Sequence, residues 1–151
     1  MSSYIYIRFK HLGKTFEVWN LSRSFHVLDR ISRRAKIAEI SQFVVPVDKI
    51  QDSISLEKLK LLEQTKDFKL YDQELEEILN EIDPWHKILD GIQAIHELSK
   101  EIERKRRTGE SFNGLIWSVN FEGIVKDLKA IEETLIQAKD LCDYFRIELN
   151  N

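Results

Sequence analysis

Polar and apolar residues alternate over the first part of the chain. Ile5, Ile7 and Phe9 interleave with Tyr4, Tyr6 and Arg8. After His11-Leu12-Gly13-Lys14 the alternation resumes, with Phe16 and Val18 against Thr15, Glu17 and Trp19. Period-two spacing, aromatic and β-branched enrichment and a glycine in the connection predict a β-hairpin over 1–21. Its two faces differ from the usual apolar-in, polar-out pattern. Ile5, Ile7, Phe9, Phe16 and Val18 share one face, while Tyr4, Tyr6 and Trp19 make the other aromatic. A lone hairpin is marginal in water, so both faces require cover. Tyr4, Tyr6 and Trp19 are the candidate interaction face. The plainer alternative is that residues 43–47 or 144–149 cover them within the chain.

The period then changes. Phe25, Leu28, Ile31, Ala35 and Ala38 fall within one arc at 100° per residue, and Arg23, His26, Arg30, Arg33 and Arg34 fall on the opposite arc. This predicts an amphipathic helix over 22–41 with a basic outer face. Phe43-Val44-Val45-Pro46-Val47 follows as a short apolar connector, or an edge strand, since Pro46 has no donor for a ladder.

Beyond residue 55 apolar positions step by three and four. The stripes are Phe68, Tyr71, Leu75, Ile78 and Ile82; then Trp85, Ile88, Ile92, Ile95, Ser99 and Ile102; then Phe121, Ile124, Leu128, Ile131, Leu135, Ala138, Cys142 and Phe145. Such stripes bury one side of a long helix. Ser55 can cap a helix starting at Leu56. Asp83-Pro84 marks a helix start, and Arg104 to Arg107 followed by Thr108-Gly109 marks a stop. The last helix is expected from about Asn120 to Phe145. The pattern predicts three to four long antiparallel helices bundled over 55–148. Two stretches read equally as strand or helix: 115–121 and 144–149. The whole is one mainly helical α+β domain, 1–151: an N-terminal β-hairpin followed by that bundle.

Composition sharpens this picture. Only 5 Gly and 2 Pro occur in 151 residues, which favours long regular elements and excludes glycine-rich cofactor folds. Charge is segregated: residues 1–50 carry a net +5, residues 51–100 a net −6 and the remainder −2, giving −3 overall. The single cysteine, Cys142, permits no intrachain disulfide and falls in an apolar stripe, as a core residue would. No stretch is apolar for the length a membrane helix needs, and the N-terminal run lacks the charged start and apolar core of a signal peptide. A cytoplasmic protein with no membrane partner is expected.

Candidate chemistry is sparse. The five glycines build no phosphate loop or dinucleotide fingerprint. Asp83, His86 and Asp90 have the spacing of one helix face, but the row points away from the stripe and reads as a solvated helix start. We therefore expect no catalytic residue, no cofactor and no metal. The basic row Arg23, His26, Arg30, Arg33 and Arg34 is the most pointed feature. Arginine forks suit phosphate or carboxylate, but the row also reads as a solvated face, or as one neutralised by Asp72, Glu74, Glu76, Glu77 and Glu81. The expectation is a non-enzymatic protein-interaction module, an adaptor, immunity- or antitoxin-like inhibitor or small regulator, with a protein or its own copy as partner. The alternative is a nucleic-acid-binding regulator using the Arg-rich face of helix 22–40.

Overall fold

The structure is a computed structural model that describes residues 4–18, 25–52, 54, 60, 68–108 and 121–150. Trp19, Arg23, the helix expected from Ser55 and the ambiguous stretch at 115–120 lie outside them.

The strand nearest the end of the chain is the centre of the sheet. β1 (Tyr4–Phe9) runs antiparallel to β5 (Tyr144–Asn150), from Tyr4 opposite Asn150 to Phe9 opposite Phe145. β2 (Gly13–Val18) pairs antiparallel on the outer side of β1. β3 (Val44–Pro46) pairs parallel with Ile147–Leu149, and β4 (His86–Lys87) pairs antiparallel with Tyr144 and Phe145. These residues already bond β1, so β3 and β4 share the other edge of β5. Pro46, lacking an N–H, closes the short β3.

Side chains alternate across a strand, and here the two faces are chemically opposite. Ile5, Ile7, Phe9, Phe145 and Ile147 point into the apolar core, all of them buried. Against them pack α1 (Phe25–Ala35), α4 (Ile88–Thr108) and α5 (Phe121–Ala138). The predicted stripes do this work: Ile88, Ile95 and Ile102 from α4 and Ile124, Leu128, Ile131 and Leu135 from α5 are buried. α4 and α5 are antiparallel. Gly91 faces Leu135, His96 bonds Glu132 at 2.7 Å and Lys129 meets Glu103 at 2.9 Å, so position numbers fall on one helix as they rise on the other. The other sheet face carries Tyr6, Arg8, Arg146 and Glu148, and α3 (Phe68–Glu81) lies on it. α2 (Val47–Asp52) follows β3 directly.

The chain is thus mixed α and β and largely helical, with an N-terminal strand, as the pattern predicts. Several boundaries differ, each for a physical reason. The basic helix ends at Ala35 and not near 41. Lys36 turns left-handed (φ 58°), with Lys36 N–H bonding Arg33 O and Ile37 N–H bonding Ser32 O at 3.0 Å. That is a Schellman stop, which a lysine rather than the usual glycine hides from a sequence reading. α4 begins at Ile88 and not at Pro84, because His86 and Lys87 are drawn into the sheet. α5 ends at Ala138 and not at Phe145. Residues 144–150 are a strand, which settles one ambiguous stretch and puts two strands inside the span expected as a bundle over 55–148.

Candidate interaction surface

Tyr6 is only 7% exposed and lies on the sheet face under α3. Tyr4 opens β1 opposite Asn150. Of the two segments considered at the outset, 144–149 reaches Tyr6: Glu148, directly opposite it on β5, hydrogen-bonds its phenol. Arg8 of its own strand lies over the ring, 6.0 Å from its centre. Three groups organise this face. Arg8 sets Nε against both Glu148 oxygens, at 2.9 and 2.8 Å, and sends Nη1 to both oxygens of Glu76 at 3.0 Å. Arg146 donates from Nε to Glu148 at 3.1 Å, and its two terminal nitrogens reach the carbonyls of Leu79 and Ile82. The Arg146 guanidinium also stacks 4.1 Å from the Trp85 ring centre, while Trp85 Nε1 donates to Asn80 O at 3.1 Å.

Arg146 therefore places a cation at the negative end of α3 and satisfies its last carbonyls. Arg146 and Glu148 are 0% and 1% exposed. Burial opposes the charge on Arg8, but hydrogen bonds and charge from Glu148 and Glu76 outweigh it and hold Arg8 above its ordinary value. At Arg146 burial wins over Glu148, and its value is lowered. Burial and then the Glu148 charge push the Tyr6 phenol up to about 12. These groups satisfy one another. The cluster is a clamp that fastens α3 to the sheet.

The basic row is arranged as its spacing predicts. His26, Arg30, Arg33 and Arg34 are all exposed and share the outer face of α1; Arg23 lies outside the described residues. Arg33 meets Glu39 at 2.9 Å, an exposed pair of small energetic weight. Glu76, one of the acids considered as neutralising this row, is engaged by Arg8 instead. Of the Asp83, His86 and Asp90 row, only Asp90 is in α4. His86 sits in β4 with its ring 5.1 Å edge-on to Phe43 and 6.5 Å from Phe145.

Sequence reasoning missed a third surface, at one end of the sheet. Leu141 is 75% exposed, Leu89 69%, Leu12 49% and Tyr144 39%. Strand pairing gathers them. Lys10, in the turn between β1 and β2, bonds through its N–H to Tyr144 O at 3.0 Å, and its ammonium lies 5.6 Å from the Tyr144 ring centre. The turn after α5 is closed by Leu141 N–H and Cys142 N–H, both on Ala138 O at 2.9 Å. This turns Leu141 outward and Cys142 inward. Cys142 is half-buried, and its Sγ lies 3.0 Å from Lys10 O and 3.2 Å from Tyr144 O. Leu89, Tyr144 and Cys142 line a cleft of about 460 Å³, rimmed by Lys87, Lys139, Asp140 and Asp143. One signal was available in the sequence: Leu89 and Leu141 each lie one residue off an apolar stripe, where a large apolar side chain has no core to enter.

No group of three or more His, Cys, Asp or Glu among the described residues could hold a metal ion. No described helix is long and apolar enough to cross a membrane. No protein-family model, curated protein or solved structure matches this chain.

Proposed function

We propose that this protein is a non-enzymatic protein-interaction module of the cytoplasm, and that its contact surface is the apolar end face at Leu12, Leu89, Leu141 and Tyr144. The supporting observation is the exposure of Leu141 and Leu89, at 75% and 69%, on an ordered turn and a helix start beside a cleft. Large apolar side chains left exposed around a cleft are a mark of interaction sites, and a pre-formed surface loses little order on binding. The free, half-buried thiol of Cys142 suits a reducing compartment. The test is a photo-crosslinking amino acid at position 141, with the exposed helix position Glu133 as control, in cells that make the protein. Discrete protein adducts at 141 and none at 133 support the reading. Absence of adducts at 141 refutes it.

One observation favours a second reading, a nucleic-acid-binding regulator: His26, Arg30, Arg33 and Arg34 are exposed together on one face of α1. Its test is retention on duplex or single-stranded nucleic acid at low salt. Reversal of Arg30, Arg33 and Arg34 to Glu should abolish retention and flatten its salt slope. A wild type that is not retained ends this reading.

A further inference from the structure

The charge around the end face is balanced. Lys87 and Lys139 stand on the rim of the cleft with Asp140 and Asp143, and all four are exposed. The neighbouring Lys10 is turned onto the Tyr144 ring. A partner surface of one sign would meet two like charges here whichever sign it carried, and juxtaposed like charges are the main device by which interfaces reject a partner. A copy of the same face, turned about a two-fold axis, can offer Asp where this one has Lys and leucine where it has leucine. An isologous interface requires that self-complementarity.

We infer that a second copy of this chain docks end to end on the face formed by Leu89, Leu141 and Tyr144, with Lys87 and Lys139 of each copy meeting Asp140 and Asp143 of the other. The inference rests on the reading of this face as a protein-contact surface and names its occupant. Leu141, the most exposed of the described large apolar residues, is the anchor. Its turn is held by the two bonds to Ala138 O, so it is presented in one geometry before the copies meet.

The experiment uses two charge variants of the full chain. The first combines Lys87→Asp and Lys139→Asp, and the second combines Asp140→Lys and Asp143→Lys. Sedimentation velocity over a concentration series should show wild type as a dimer and each variant alone as a monomer. An equimolar mixture of the variants should recover the dimer. Because all four side chains are exposed, circular dichroism should report both variants folded. If a variant does not fold, Leu141→Asp carries the test and should raise the dissociation constant about thirtyfold or more, as loss of an interface hot spot does. A wild type that stays monomeric to about 1 mM overturns the inference. So does a dimer that survives in both variants, or in Leu141→Asp. These failures leave the broader reading standing if the position-141 crosslinker still captures another protein, and that reading falls separately if it captures none.

Discussion

Gly91 lies in the first turn of α4, where its bare backbone faces the ring of Phe145 in β5. In an open helix, replacing glycine by alanine gains about 1 kcal/mol. Here an added Cβ would overlap Cζ and Cε1 of Phe145 and stand 3.3 Å from Leu135 Cδ1. The ring has little room to retreat. Phe145 is fully buried, with the Phe43 ring centre 5.4 Å away and that of His86 at 6.5 Å. Forcing extra volume into such a core costs about 1–3 kcal/mol, and an overlap with two ring atoms belongs at the upper end. Set against the propensity gain, Gly91→Ala should destabilise the fold by about 2 kcal/mol, a fall in Tm of about 4–8 °C for a chain of this size. Urea unfolding followed by circular dichroism measures it, with an unchanged m-value showing that the effect is on stability alone. The contact itself is isolated by adding Phe145→Leu. In that background Gly91→Ala should cost much less, giving a coupling above about 0.5 kcal/mol. If Gly91→Ala is neutral or stabilising in the wild-type background, α4 does not cross β5 at this point and the packing described is wrong.

Three further outcomes follow from the same geometry. Glu148→Gln leaves Arg8 and Arg146 buried around a neutral amide. Since each keeps a second set of partners, the loss should be about 3 kcal/mol, the lower end for a broken buried pair; chemical denaturation reads it, and a loss under about 1 kcal/mol would show the face to be wet. Lys36→Gly should stabilise the fold by up to about 1 kcal/mol, because it relieves a left-handed residue at the end of α1; a destabilised variant would mean that the helix does not stop there. His86 is held below its ordinary value by burial, only partly opposed by Asp90, and its Nε2 has no hydrogen-bond partner among the described residues. The unfolded chain therefore takes up a proton that folded His86 resists, and stability should be lost as pH falls below about 6.5. His86→Gln should flatten that slope between about pH 7 and 5.5 in thermal melts, whereas an unchanged slope would assign it to other groups.

Much of the architecture was legible because apolar spacing is a local signal. The stripes on α4 and α5 bury the residues the three-and-four spacing marked: Ile88, Ile95, Ile102, Ile124, Leu128, Ile131 and Leu135. Alternation in 4–18 marked its strands in the same way, and the basic row on α1 is exposed as its arc required. What the periodicity could not show is pairing between distant segments. Residues 144–149 alternate like a strand and continue a helix stripe equally well. Only the hydrogen bonds of β1, β3 and β4 decide for the strand, and they place it at the centre of the sheet.

The candidate surface divides along the same line. Tyr6 is buried on a sheet face whose charged groups, Arg8, Arg146, Glu76 and Glu148, come from three separate parts of the chain and hold α3 there. A buried arginine reads as a surface residue until its carboxylates are located. Leu12, Leu89 and Leu141 are unremarkable one at a time, and only strand pairing brings the two turns and the helix start that carry them to one end of the sheet. Sequence alone determined which side chains seek the interior and which helix face carries positive charge, because both follow from spacing within one element. Tertiary structure decided where α1 and α5 stop, which charges are buried and where apolar surface is left over, because each depends on contacts between residues far apart in the chain.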